Sequence, residues 1–150
     1  MKTNSTTNNL RNRLKAEPDI GTYIEENKEK FIESDISSYI AKLSVTKNIS
    51  IAKALKNGQI RKSYGYMLSS GERKSPSRDV ILQLCFGFKL DLDESQRFLR
   101  YAQHGELYPK FQRDSIIMYC LDKRLSLHDC RIMLKDYNLT DLVKNSDNEI

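Results

Sequence analysis

The chain has 150 residues, of which 39% are hydrophobic and 30% charged, and it carries a formal net charge of +5. That length suits one domain that buries its own core, while six glycines and three prolines are too few for an all-β fold built on many tight turns. No apolar run approaches the ~20 residues that a membrane span needs and the first residues lack the apolar segment of a secretory signal, so we expect no membrane partner and a cytoplasmic location.

Residues 1–19 are rich in Asn, Thr and Ser and poor in apolar side chains. Such a composition does not offset the entropy of ordering, so a disordered basic arm is expected there, with Arg11, Arg13 and Lys15 as its cations. Over 20–36 the apolar residues Ile20, Tyr23, Ile24, Phe31 and Ile32 keep helical spacing beside an acidic face, which predicts one N-terminal helix. Ser34 or Asp35 can cap the next helix, whose Ile36, Tyr39, Ile40 and Leu43 recur at three and four residues; the pattern breaks at 45–48. Ser50 is a good N-cap for a short helix to Lys56 that turns Ile51, Ala54 and Leu55 inward, with Ala54 small enough for a close crossing by the helix after it. Asn57 and Gly58 tolerate the positive φ of a turn. A second short helix then runs from about Arg61 to Leu68, anchored by Ile60 and Leu68 with help from the ring of Tyr64 or Tyr66, and stops at Ser69-Ser70-Gly71.

The loop Glu72–Ser77 holds Arg73 and Lys74, and Ser77 caps the helix after it. The run from Val80 to Leu90 is almost wholly apolar and in isolation fits a buried strand, but the spacing of Ile81, Leu84, Cys85 and Phe88 favours a buried helix ending near Gly87. Asp91 and Glu94 stand at capping-box separation before a helix with Phe98, Leu99 and Ala102 inside. His104-Gly105 and Pro109 mark a break, after which 114–123 and 126–135 read as two more helices, the second with an apolar side of Leu127, Cys130, Met133 and Leu134. This pair packs either on the preceding helices or on a second copy of itself. From Lys144 a polar tail, 144–150, is expected to fray.

Charge is unevenly spread. Between 37 and 90 ten Lys and Arg face only Glu72 and Asp79, a local balance of +8, whereas the regions 20–36 and 91–150 are each net acidic. A basic excess around two short helices and a tight turn is what holding a phosphate backbone would require. Cys85, Cys120 and Cys130 sit within apolar helical stretches without metal-ligand spacing and are read as packed free thiols. His104 and His128 have no catalytic partner in the sequence, and no phosphate loop or HExxH stands beside them, so no enzyme activity, catalytic residue, metal or cofactor is expected.

Residues 37–102, with Ala54-Leu55, the turn at 57–60, the helix 62–69, Gly71-Glu72-Arg73-Lys74, Pro76-Ser77 and the Leu90–Glu94 helix start, resemble the lambda-repressor-like helix-turn-helix family of bacterial regulators. The resemblance implies an all-α, five-helix bundle, here with an extra N-terminal helix and a C-terminal helical pair at 103–143. It also implies double-stranded DNA as partner, with the third bundle helix in the major groove. Carried over residue by residue, it places Lys62, Ser63, Tyr66 and Met67 at base edges and Ser50, Arg61, Tyr64, Ser70, Arg73 and Lys74 at phosphates. Gly65 departs from the family, which has an aliphatic core residue mid-helix, and the rings of Tyr64 and Tyr66 are expected to fill the space. Regulators of this kind need two half-sites, so a homodimer through 103–143 is expected. The competing reading is a protein-interaction module, an antitoxin or adaptor, that uses the Tyr64–Met67 surface to dock a protein.

Overall fold

The computed structural model describes residues 2–31 and 34–144, with side chains from residue 7, and the described residues are all-helical. The chain divides into two compact units between Glu33 and Ser34. In the first, residues expected to lack order form α1 (Lys2–Ala16). That stretch contains neither Gly nor Pro, and Arg13, assigned to a basic arm, pairs with Glu26 of α2. Helix α2 (Ile20–Asn27) starts on Asp19, whose carboxylate accepts from Thr22 N, and passes into a single 3-10 turn over Lys28–Lys30. It is shorter than predicted, and its buried residues are Tyr23 and Asn27 rather than the stripe: Ile20, Ile24 and Phe31 are exposed. Ile32 lies outside the described residues.

The second unit holds α3 (Ile36–Lys47), α4 (Ile51–Asn57), α5 (Lys62–Ser70), α6 (Arg78–Gly87), α7 (Leu92–Tyr101), α8 (Gln112–Asp122) and α9 (Leu127–Asp136). The Val80–Leu90 run is mostly helix and buried, not strand. Helix α3 continues through the predicted break at 45–48 and ends only at Asn48, in the left-handed region. The starts are local chemistry. Asp35, Ser50, Ser77 and Ser126 each accept from the amide three residues on, and Asp91 with Glu94 forms a complete capping box.

The predicted boundary at 102/103 does not separate two bodies. Leu107, Ile117, Cys120, Leu121, Leu127, Cys130, Leu134 and Leu142 join one core with Ile40, Leu55, Leu68, Ile81 and Phe98, and α8 and α9 pack against α7 and α6. The C-terminal pair thus packs on the bundle. Tyr39 of α3 lies between Phe98, stacked at 4.5 Å, and Tyr101 at 4.6 Å. All three cysteines are buried and unpaired, and burial pushes the Cys85 thiol up to about 12. His104 donates from Nε2 to Pro76 O at 2.9 Å, which ties the break after α7 to the loop before α6. The 145–150 part of the expected tail lies outside the described residues.

Two of these helix pairs repeat one another. At one constant offset Arg78, Asp79, Ile81, Cys85, Leu90, Leu92 and Leu99 recur as Arg113, Asp114, Ile116, Cys120, Leu125, Leu127 and Leu134. Helices α6 and α8 end alike, on left-handed Lys89 and Arg124, and the next amides bond back to Cys85 O and Cys120 O, both at 2.9 Å. Helices α7 and α9 end the same way at Gln103 and Asn138. The Arg-Asp pairs are exchanged between the repeats. Arg78 grips Asp114 with two bonds of 3.0 and 3.1 Å, and Arg113 grips Asp79 with two of 3.0 and 3.1 Å.

Candidate nucleic-acid interface

Helices α4 and α5 are joined by a turn whose geometry differs from the one predicted. The left-handed residue is Gln59, at φ 52°, while Gly58 has an ordinary φ of −85°. Glycine at 58 serves proximity instead, because a Cβ there would strike the Gln83 carbonyl of α6. The turn is held from two sides. Gln83, itself buried, donates from Nε2 to Gly58 O at 3.0 Å and Gln59 O at 3.3 Å, and Arg131 of α9 donates to the Gln59 side chain. The amide of Ile60 closes the end of α4 on Leu55 O at 2.9 Å.

Helix α5 has two faces. Tyr64, Gly65 and Leu68 are buried, whereas Lys62, Ser63, Tyr66 and Ser70 are exposed. Gly65 needs no filling by the neighbouring rings, because Leu55 of α4 occupies the place where its Cβ would be. That is the close crossing of α4 with α5. Ala54, to which the crossing was assigned, instead meets α6 at Gly87.

Of the four residues expected at base edges, Lys62, Ser63 and Tyr66 lie on the outer face, with Lys62 Nζ 5.8 Å from the Tyr66 ring centre. Met67 is half-buried and packs on the core. Among those expected at phosphates, Tyr64 is only 5% exposed and belongs to the core, which corrects its assignment. Its ring supports Arg73, whose guanidinium lies 5.2 Å from the ring centre and whose amide bonds to Met67 O at 2.9 Å, so the loop after α5 is drawn back onto the helix. Arg61 and Lys74 are exposed at either end of α5 and its loop. Ser70 is exposed and donates from its hydroxyl to Met67 O, and the Ser50 hydroxyl accepts from Lys53 N as the cap of α4. Two cations counted toward the basic excess are engaged elsewhere: Lys47 pairs with Glu94, and Arg78 with Asp114.

The positioning residues Gln83 and Arg131 escaped the sequence reading, since each acts on a turn far away along the chain. One signal was present for their framework: the Arg-Asp dipeptide at 78–79 returns at 113–114 with the same apolar pattern behind it. Among the described residues no group of His, Cys, Asp and Glu could hold a metal ion, and no helix is long and apolar enough to cross a membrane. Comparison with protein-family models, with curated proteins and with solved structures found no match to the chain.

Proposed function

We propose that the protein is a sequence-specific DNA-binding regulator of transcription, of helix-turn-helix type, that lays the outer face of α5 in the major groove and works in the cytoplasm. The observation that carries this reading is the division of α5. Tyr64, Gly65 and Leu68 root the helix, and Lys62, Ser63 and Tyr66 stand on its outer face between Arg61 and Lys74. In this reading Lys62 donates to guanine O6 and N7, Ser63 and Tyr66 meet neighbouring base edges, and Ser50, Arg61, Ser70, Arg73 and Lys74 hold the backbone. The grip of Gln83 and Arg131 on the turn fixes the angle at which α5 is presented.

Fluorescence anisotropy of the full chain on random and selected duplexes, titrated with salt, tests it. Binding should weaken steeply with salt, and Arg73→Ala or Lys74→Ala should each lower the log–log slope by about 0.9, since one phosphate contact releases about one counterion. Lys62→Ala should cost about 1–3 kcal/mol at one position of the selected site and little on random DNA. Salt-independent or undetectable binding overturns the reading in favour of a protein-docking module, which the exposed Tyr66 beside Lys62 equally suits.

A further inference from the structure

Where α6 and α8 end, the two repeats share a cavity of about 440 Å³, within the roughly 300–1,000 Å³ of small-molecule sites. Three pairs of equivalent residues line it, one of each pair from either repeat: Phe86 with Leu121, Lys89 with Arg124 and Leu90 with Leu125. Asn57 adds a wall from the end of α4, tied to α6 by its bond to Gly87 O at 3.2 Å, and Ser126 and Leu127 add the start of α9. Phe86, Leu90, Leu121 and Leu127 belong to the core, so the cavity has an apolar floor, whereas Lys89, Arg124 and Ser126 are exposed at its mouth.

Two features set the cations at the mouth apart. None of the nine lining residues is acidic, and among the described residues no carboxylate pairs with Lys89 or Arg124. Arg78, Arg113 and Arg131, by contrast, each grip an aspartate through at least two bonds. Arg124 instead bonds from Nη1 to Lys89 O at 3.1 Å, which draws its guanidinium across to the first repeat. The second feature is the backbone. Both cations stand in the left-handed region, at φ 55° and 60°, where a side chain is strained. The other described residues there, glycine aside, are all Asn or Gln. Strained backbone of this kind clusters at ligand clamps.

We propose that the cavity binds a small organic carboxylate with an apolar body, its charged end between Lys89 and Arg124 and its body on Phe86, Leu90, Leu121 and Leu127. An inorganic anion would answer the cations and leave the floor without a partner, and a neutral hydrocarbon would do the reverse. The planar fork of a guanidinium matches a carboxylate, as it does three times elsewhere in this fold. None of the lining residues lies on α5, and the site goes beyond the DNA reading without depending on it.

Titration of the isotope-labelled full chain with octanoate, followed by heteronuclear NMR, tests the site. Saturable shifts should centre on the amides of Lys89, Leu90, Arg124 and Leu125, with a Kd of about 0.1–1 mM, as suits about ten non-hydrogen atoms. Acetate, which lacks the body, and octanol, which lacks the charge, should each bind at least about tenfold more weakly. Lys89→Gly suits the left-handed backbone and keeps the fold, yet it should weaken octanoate about fivefold. Lys89→Gly combined with Arg124→Gln should weaken it about twentyfold or more, the dispersed spectrum of the variant showing that it is folded. Tyr119→Glu, on α8 but outside the cavity, should leave the affinity untouched. Octanoate that does not bind, that shifts only amides elsewhere, or that binds the double variant as it binds the wild type overturns the proposal. Equal binding of octanol overturns the charged end, and equal binding of acetate reduces the cavity to an adventitious anion site, which overturns it too.

Discussion

Helices α6–α7 and α8–α9 are built on one frame and finished differently. Both have the Arg-Asp start, the left-handed end and the capped second helix, yet fully buried Leu84 is answered by half-exposed Tyr119, and buried Gly87 by exposed Asp122. The frame is set by backbone groups that must find partners wherever they lie. The faces are set by whatever lies against them. Local capping and core composition are therefore separate layers of information in this chain, and only the second tells which repeat is covered.

Three substitution pairs would break or sharpen that contrast, each measured by urea unfolding. The largest difference is expected at the aromatic position: Phe98→Ala empties a fully buried site beneath Tyr39 and should cost about 4 kcal/mol, whereas Met133→Ala, half-exposed, should cost about 1. Equal losses would mean that the second repeat is as covered as the first. Next comes the close approach: a Cβ at Gly87 would meet the Ala54 carbonyl, so Gly87→Ala should cost about 2–3 kcal/mol, while Asp122→Ala at the matching place should change stability by about 0.5 at most. The smallest effect is a gain. Lys89→Gly relieves a left-handed φ of 55° and should stabilise by about 0.5–1 kcal/mol. Arg124→Gly should gain less, because Arg124 also donates to Lys89 O at 3.1 Å and glycine forfeits that bond.

What was legible in the sequence was what acts within four residues. Ser50, Ser77 and Asp91 could be recognised as caps because a cap and its amide are neighbours in the chain. The short helical pair came from the same short-range signals, whereas Lys62, Ser63 and Tyr66 were singled out by the family resemblance. Tyr64 was given to phosphates although it stands four residues from both Ile60 and Leu68, on the inner face that those two mark. The turn was misread for another reason: Gly58 looked like the residue of unusual φ, yet it is demanded by Gln83 of a helix further on, and the strained place falls to Gln59. The helix over residues 2–16 was missed because polar composition was weighed alone, although the stretch holds no Gly or Pro to break a helix. Lys47 and Arg78 were counted as free to meet a polyanion although their acids come from later helices.

The exchanged arginine clasps bear on how far the protein can be trimmed. A fragment stopped after Tyr101 would keep Asp79 and Arg78 while discarding Arg113 and Asp114, so each survivor would face the loss of its counter-ion in a half-dry setting. It would also shed Arg131, and with it one of the two hands on the Gln59 hinge. Residues 34–101 thus share one core with the residues that follow them, and a chain cut after Tyr101 should unfold at lower urea than the full chain.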